Sequence, residues 1–298
     1  MVTSPGNLTR IRRVVPNVPN LSTNLPAAIE RKLDAGAALA ISISGGKDSQ
    51  AMALALVALH RERGWKGEVF AIHADLGRIE WPESAAHVER IAELAGIELV
   101  VVRRKDGRDM LDHWRARGDR MRSQGKQARP WSDSKNRFCT SDMKRDPIDA
   151  YLRRFTNVVC AVGIRAQESA GRAKQPEWAT RRIDNSVRSA LTWHPILAWT
   201  ITDVLAQCGH SWWDMRQRQL AYADGRTAQA LDGWALHPAY VYGNDRLSCQ
   251  FCVLGSLNDL RNGAQHRPEL LAELVGMERE YGFTFKTDRS LASLAQAA

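Results

Sequence analysis

Short apolar runs alternate with longer amphipathic stretches along the first half of the chain. The apolar runs cover residues 37–44, 68–75, 97–104 and 157–165, and their length and β-branched content predict buried strands. Helical spacing of apolar residues covers 26–36, 48–64, 82–96 and 146–155. Strands that alternate with helices predict a doubly wound, mostly parallel α/β sheet, in which ligands bind beyond the carboxyl ends of the strands.

From about residue 190 this alternation is replaced by a Trp- and His-rich pattern that is mainly helical. The stretches "WHPILAWTITDVL" and "HSWWDMRQRQL" are typical of it. We therefore predict three parts. They are an N-terminal arm over residues 1–25, a nucleotide-binding α/β domain over 26–190, and a helical C-terminal lobe over 191–298 that covers the active site.

The net charge of the chain indicates which kind of partner it favours. The chain has 298 residues and a formal net charge of +9, which favours anionic partners such as nucleotides or nucleic acid. A solubilising surface charge would give the same balance. Arginines cluster at 101–108, 115–122 and 179–188, and this clustering favours a functional electropositive face.

The sequence also bears on the compartment. No apolar run reaches the length of about eighteen residues that a membrane helix needs, and no signal-peptide pattern opens the chain. We therefore predict a cytoplasmic protein without a membrane partner. In a reducing compartment its five cysteines are expected to be buried, metal-bound or catalytic rather than paired in disulfides.

One loop carries the first chemistry. After the first predicted strand, a glycine-rich turn opens a helix with the sequence Ser44-Gly45-Gly46-Lys47-Asp48-Ser49. Glycines permit close backbone approach, and amides at a helix N-terminus point at an anion. The lysine supplies a positive charge, the two serines supply hydroxyl contacts, and Asp48 is a candidate Mg²⁺ ligand. The spacing matches neither a Walker loop nor a dinucleotide fingerprint.

This loop resembles the PP-loop of the ATP pyrophosphatase superfamily, in its branch of phosphoadenosine phosphosulfate (PAPS) reductase-like proteins. The resemblance implies an enzyme that cuts ATP, bound with Mg²⁺, between the α and β phosphates and adenylates an oxygen of the acceptor. It also implies catalytic roles for Lys47, Asp48 and Ser49, and for Lys144 in the "CTSDMKR" segment.

Two further stretches resemble segments of the same branch. "HADLGRIEWPES" provides Asp75 as a candidate metal or ribose contact, with Glu80 as the second choice, although Asp75 could equally be a turn acid at a strand end. "GIRAQESAGR" begins at Gly163 and provides two guanidinium groups for phosphate or sulfate oxygens, with one acid to orient them. These residues are Arg165, Arg172 and Glu168.

Three cysteines are candidates for a second chemistry. Cys139 stands alone, whereas Cys249 and Cys252 form a C-x-x-C, which is typical of a redox pair, a zinc half-site or an iron–sulfur half-site. The family resemblance implies a 4Fe–4S cluster held by these three cysteines, with a persulfide relay or structural zinc as alternatives. Cys160 and Cys208 are predicted to be core residues, although Cys208 or His210 could supply a fourth ligand.

Over residues 37–262 the motifs are most similar to the DndC/SspD-type proteins of bacterial DNA phosphorothioation systems. The resemblance implies adenylation of a DNA backbone phosphate, with nucleic acid and a sulfur-donating cysteine desulfurase as partners; a homo-oligomer is also compatible with the sequence. The alternatives are a PAPS or adenylyl-sulfate reductase, a tRNA thiolation enzyme and a non-catalytic regulator. The lack of any cysteine after Cys252 counts against the reductase.

Overall fold

The chain folds around one six-stranded sheet. The computed structural model describes residues 25–287 and 289–295, so that almost all of the predicted arm 1–25 lies outside the described residues. The strand order is β3-β2-β1-β4-β6-β5. Every neighbouring pair is parallel except the last, in which β5 runs antiparallel to β6. The predicted α/β class and mostly parallel sheet are confirmed. The strands are β1 Ala38–Ser42, β2 Val69–Ala74, β3 Glu98–Val102, β4 Asn157–Val162, β5 Trp178–Thr180 and β6 Ser189–Trp193.

The last two strands were not predicted, for a physical reason. β5 has three residues and β6 has five, which is too short for a period of two to stand out. β6 continues the parallel sheet beside β4, with Cys160 opposite Thr192. The sheet therefore extends to Trp193, slightly past the predicted boundary at residue 190, before the chain becomes helical.

The helices cover both faces of the sheet and build the C-terminal region. The four predicted helices are present, each shorter at its ends than predicted or shifted by one to two residues. A π-helical turn, Ser141–Arg145, leads into α6. The helices are α1 Ala27–Asp34, α2 Lys47–Arg63, α3 Ser84–Ala95, α4 Met110–Ser123, α5 Phe138–Thr140, α6 Asp146–Leu152, α7 Ala170–Ala173, α8 Ile201–Gln207, α9 Trp212–Ala223, α10 Thr227–Leu231, α11 Leu257–His266, α12 Pro268–Tyr281 and α13 Ala292–Ala295.

Side chains of the central strands alternate between two cores. In β1, Leu39 and Ile41 belong to the core shared with α1, α2, α3 and α8, whereas Ala40 belongs to the core on the opposite face with α6. A third core joins α4 to α11, α12 and α13 around Trp114 and Phe285, whose rings meet edge to face. This third core fixes the C-terminal helices against the carboxyl side of the sheet.

Much of the predicted arginine-rich face is neutralised within the fold. Asp149 is fully buried and pairs with both Arg181 and Arg182. On α4, Arg115 pairs with Glu273 at 3.2 Å and bridges to α12. Because buried or bridging arginines of this kind secure neighbouring elements, the clusters at 115–122 and 179–188 serve the fold more than a ligand.

The contact between α4 and α12 depends on a glycine. A methyl group at Gly118 would lie 2.4 Å from the ring of Tyr281, whose hydroxyl is held by Asp119 at 2.9 Å. We expect Gly118→Ala to lower the free energy of unfolding by about 1–3 kcal/mol, because the ring must move in a packed contact. Gly276→Ala is the matched control, since a methyl group there meets nothing within 4 Å. It should stabilise by up to about 1 kcal/mol. Urea denaturation of both variants measures the difference, and equal effects would contradict the packing role.

Candidate functional site

The glycine-rich loop closes on itself at the carboxyl end of β1. Gly45 has a φ of +77°, which a residue with a side chain rarely adopts, and the chain enters α2 at Lys47. The Ser49 hydroxyl donates to the Gly46 carbonyl at 2.8 Å and accepts from the Ser44 amide at 3.1 Å. The N-terminus of the seventeen-residue α2 therefore lies at the carboxyl end of the strands, and a helix N-terminus favours binding of an anion.

The acid of the loop is held between two cations. Asp48 lies 3.2 Å from the Lys47 ammonium on one side and bonds to the Arg165 guanidinium on the other. Lys47 and Arg165 are each only 5% exposed. Burial by itself raises the pKa of Asp48, but the charges of Lys47 and Arg165 outweigh it and hold that pKa below its usual range. The carboxylate is therefore preorganised as an anion at the start of α2.

The sequence predicts that the Arg165 guanidinium binds phosphate or sulfate oxygens, and in the structure it contacts protein side chains. Besides Asp48, its guanidinium donates to Gln167 at 2.8 Å. Its position follows from Gly163, where a side chain would lie 3.2 Å from the Ser49 backbone, so that β4 and α2 approach closely. Glu168 accepts from the Arg165 amide at 3.0 Å and pairs with Arg172. Glu168 therefore contacts both arginines, its orienting role stays a prediction, and Arg172 lines the cavity described below.

The C-terminal region contributes a residue that the sequence analysis missed. The Tyr240 hydroxyl accepts the Lys47 backbone amide hydrogen at 3.0 Å, and the Lys47 ammonium lies 5.0 Å from the centre of the Tyr240 ring. Leu247 lies over Gly45. Tyr240 stands 193 residues from the loop in sequence, and its "HPAYVYGN" surroundings give no catalytic signal. The lobe therefore covers the loop.

A cavity of about 250 Å³ opens beside the loop at the carboxyl ends of β1 and β2. Ser44 and His73 line it from these strand ends. All three candidate cysteines, Cys139, Cys249 and Cys252, also line it. Sequence segments more than one hundred residues apart therefore meet at the carboxyl ends of the strands.

The cysteines match the donor set of an iron–sulfur cluster. Three thiols can hold such a cluster, with one iron left for another ligand. Burial raises the pKa of the Cys249 thiol, and Lys144 across the cavity opposes that effect. Within residues 25–287 and 289–295, no three His, Cys, Asp or Glu side chains lie close enough together to hold a metal ion. The chemistry of the donors fits the cluster, and their assembly around it remains a prediction.

The remaining cysteines lie elsewhere. Cys160 is fully buried in β4, as predicted for a core residue. Cys208 is also buried, and its thiol faces the Lys47 carbonyl at 3.9 Å rather than the cysteine cavity. His210 bonds to Asp214 at 2.6 Å and accepts from the Ala235 amide. Neither candidate for a fourth ligand lines the cavity.

The two acids of the second motif have different positions. Asp75 accepts from the Gly77 amide at 2.7 Å and pairs with Arg103, so its position is that of a turn acid at a strand end. Glu80, the second choice, lines the cavity and lies 3.7 Å from His73. Burial alone would lower the pKa of His73, but the neighbouring Glu80 carboxylate raises it.

Positive charge predominates around the cavity. Among the residues that the structure describes, four cations line it, whereas two acids, Glu80 and Asp133, do so. The cations are Arg137, Lys144, Arg172 and Arg246. An excess of cations in a concave site raises the local concentration of anions. The cavity therefore suits an anionic ligand, and Lys144 is among its lining residues, while its catalytic role stays a prediction.

No helix in the described part of the chain is both long and apolar enough to cross a membrane.

Comparison with protein families gives one match over more than half of the chain. The model of the family described as "Phosphoadenosine phosphosulfate reductase domain" matches residues 38–208. These residues include the glycine-rich loop, Cys139, Lys144 and Arg165, but neither Cys249 nor Cys252. The site is thus composed of a family domain and a C-terminal contribution.

Two curated proteins are similar to parts of the chain. One is an uncharacterized 37.8 kDa protein of Escherichia phage 186, 28% identical over 49% of this chain and 38% of its own length. The other is an uncharacterized protein of Methanocaldococcus jannaschii, 24% identical over 83% of this chain and 49% of its own length. The chain thus spans less than half the length of either relative.

Solved structures with a similar fold are distant in sequence. The U34-tRNA thiolase NcsA of Methanococcus maripaludis, with its 4Fe–4S cluster, is 15% identical over 93% of this chain and 77% of its own, with a TM-score of 0.44. PAPS reductase from Candida auris is 13% identical over 57% of this chain and 71% of its own, with a TM-score of 0.38.

Proposed function

The chain belongs to the phosphoadenosine phosphosulfate reductase domain family, and from this premise we propose that it is a nucleotide-using enzyme that splits ATP into AMP and pyrophosphate. The acceptor that we propose for the AMP group is a nucleic acid, first of all a DNA backbone phosphate, which is activated for sulfur insertion. One observation carries the proposal. The PP-loop residue Ser44 and three thiols, those of Cys139, Cys249 and Cys252, face one cavity.

The loop residues would act on the triphosphate. The amides at the start of α2, with Ser49 and Lys47, would hold the pyrophosphate end. An acceptor oxygen attacks the α-phosphorus, the bond between this phosphorus and the β-phosphate oxygen breaks, and pyrophosphate leaves. A sulfur nucleophile then displaces AMP, which carries that acceptor oxygen away. Asp48 would hold Mg²⁺, which neutralises phosphate charge when it is bound.

The cavity residues would act on the sulfur and the acceptor. Cys139, Cys249 and Cys252 would hold a 4Fe–4S cluster, which supplies an open iron position for sulfide. Lys144 and Arg172 would hold the anionic acceptor next to it. A cysteine desulfurase is the proposed source of sulfur.

A second candidate is supported by the matched family itself. A sulfonucleotide reductase would use the same cationic cavity for a nucleotide that already carries sulfate, and a cavity thiol would attack its sulfur. Release of sulfite from PAPS or adenylyl sulfate, with a thiol reductant and without ATP, would favour this candidate over sulfur insertion.

The products of ATP test the proposal directly. Protein purified without oxygen and incubated with ATP, Mg²⁺, single-stranded DNA and sulfide should release AMP and pyrophosphate in equal amounts, because sulfide displaces the AMP from the activated strand. Lys47→Ala is the control for contaminating ATPases. ADP and inorganic phosphate as the only products would overturn the proposal. Mass spectrometry of nuclease-digested DNA and tRNA, from cells with and without the gene, then identifies the acceptor through phosphorothioate dinucleotides or thiolated nucleosides.

The cysteines give a prediction with a readout other than activity. Anaerobically purified protein should contain iron and absorb visible light as iron–sulfur proteins do, and Cys139→Ala or Cys252→Ala should remove most of both, because each thiol is a proposed ligand. Cys160→Ala is the matched control, since Cys160 is buried in β4 away from the cavity. Elemental analysis measures the iron. Full iron in both cavity variants would refute the cluster, and zinc in place of iron would indicate a structural site.

A further inference from the structure

Helix α9 exposes an aromatic surface that the proposed chemistry does not use. Trp212 is 56% exposed, Trp213 is 72% exposed and Leu220 is 46% exposed. Trp213, Arg216 and Leu220 are spaced by three and four residues, so they share one face of the helix. Neighbouring large apolar side chains that remain exposed mark interaction sites more often than isolated ones do.

This face continues into a groove. A cavity of about 780 Å³ is lined by Arg216 and Leu220 together with Tyr222 and Tyr242. The centres of the two tyrosine rings lie 5.0 Å apart. Because Arg216 and Leu220 belong both to the exposed helix face and to the groove, the two form one surface, which we call the α9 surface.

The lining of the α9 surface has the chemistry of a nucleobase site. Three side-chain amides accompany the aromatic rings, those of Gln219, Asn258 and Gln265. Gln219 and Asn258 each donate one hydrogen bond to a backbone carbonyl. Because a side-chain amide has a second N–H and a carbonyl oxygen, such groups can also bond to base edges. Asp245 is the acid in this lining. Among the described residues, the Arg216 guanidinium donates a hydrogen bond to the uncharged Gln219 side chain at 3.2 Å. Aromatic faces with amides and an unneutralised arginine bind unstacked bases and their phosphates.

Consecutive residues of the chain connect the α9 surface to the cysteine cavity. Tyr242 and Asp245 line the groove, while Arg246 and Ser248 line the cavity. Consecutive residues are at most about 3.8 Å apart, so the two sites are near neighbours. Arg246 can therefore contact a phosphate of a strand that passes from one to the other.

We propose that the α9 surface binds single-stranded nucleic acid and leads it to the cysteine cavity. The inference deepens the proposed function, on which it rests for the identity of the acceptor. A strand fits better than a protein partner, since the lining combines aromatic rings, side-chain amides and an exposed arginine in a chain of net charge +9.

Fluorescence anisotropy with a labelled single strand of about 16 nucleotides tests the surface. Wild-type protein should bind the strand more tightly than the same sequence as a duplex. Trp213→Ala should weaken binding by about tenfold or more, in line with the loss of one stacked base, and Trp213→Phe should restore part of it. Arg216→Ala should weaken binding and lower its salt dependence by about one phosphate contact.

Trp178→Ala is the matched control, because Trp178 is a partly exposed tryptophan on the edge strand β5. It should bind as the wild type does. Equal binding by Trp213→Ala and wild type would overturn the proposal. So would a wild-type dimer that Trp213→Ala converts to monomer, since α9 would then be an interface between two copies of the chain.

The same samples separate this inference from the proposed function. Trp178→Ala should release pyrophosphate from ATP and the strand as the wild type does, whereas Trp213→Ala should need more strand to reach the same rate, because the strand is the proposed acceptor. If strand binding depends on Trp213 but no pyrophosphate is released, the proposed function is refuted and the strand-binding role of the α9 surface is supported. If pyrophosphate is released but Trp213→Ala binds the strand as the wild type does, only the role of the α9 surface is refuted.

Discussion

Replacing Arg165 by Gln is expected to lower the rate of pyrophosphate release by about 10²- to 10³-fold, the effect of removing one preorganised polar group from an active site. The guanidinium holds Asp48 in place from β4, and Asp48 in turn holds the Lys47 ammonium at 3.2 Å. Without Arg165 the buried carboxylate keeps only one cation. We therefore expect kcat to fall more than KM changes, because the group positions Asp48 rather than binding the nucleotide.

A double-mutant cycle tests this positioning role. Asp48→Asn alone should reduce the rate at least as much as Arg165→Gln, because the proposed Mg²⁺ ligand is lost. If Arg165 acts through Asp48, the double variant should be no slower than Asp48→Asn alone. It should also share the raised Mg²⁺ requirement of that variant.

Arg63→Ala is the matched control for this cycle. It removes an arginine from the far end of the same helix, where Arg63 pairs with Glu30 at 2.9 Å. It should leave the rate unchanged. If the rate losses of the two single variants add in the double variant, the positioning role is contradicted. That result would instead support the sequence prediction, in which Arg165 contacts the phosphate directly.

The sequence predicted the loop because its signal is local. The glycines, the lysine and the two serines must be contiguous to shape one turn before a helix, and an apolar run before them marks the strand. Four of the six strands were predicted in the same way, from apolar runs of at least eight residues. β5 and β6 gave no such signal, because each is short and gains its order from pairing with a neighbour.

The contacts around the loop could not be predicted in this way, because they join distant segments. Nothing near Tyr240 indicates that its hydroxyl meets the Lys47 amide, and nothing near Arg165 indicates that it faces Asp48. Both depend on how the lobe and β4 pack against α2. The cysteines could be predicted in part. Their sequence pattern indicated a shared chemistry, but only the fold shows that the three line one cavity.

A different effect is expected from two histidines buried behind the loop. His87 contacts the Gln50 amide oxygen at 3.1 Å, and His237 contacts the Ser84 hydroxyl at 3.3 Å. Their ring centres lie 5.3 Å apart. His237 also accepts the Ala239 amide hydrogen on Nδ1, which requires a neutral ring. Burial, with the charge of Arg90, lowers the pKa of His87 to about 4, and burial, with His87, lowers that of His237 to about 3.

The sign of the pH effect follows from these shifts. Above the unfolded pKa of 6.5 both states are neutral, so these groups give no pH dependence. Below it the unfolded chain binds a proton at each ring, but the folded chain does not until the pH nears 4 or 3. The free energy of unfolding should therefore fall on acidification by about 1.4 kcal/mol per pH unit for each histidine.

Urea denaturation at pH 7 and pH 5 measures this loss, which should be about 2 kcal/mol for each histidine. His87→Gln keeps a polar atom for Gln50, and His237→Asn keeps an acceptor for the Ala239 amide, so each variant should remove its share of the loss between the two pH values. Ser84→Ala is the control, because it removes a partner of His237 without removing a titrating group. An unchanged loss in both histidine variants would assign the acid sensitivity to carboxylates instead. A loss reduced by both would show that the loop helix is held by a pair of histidines that must remain neutral.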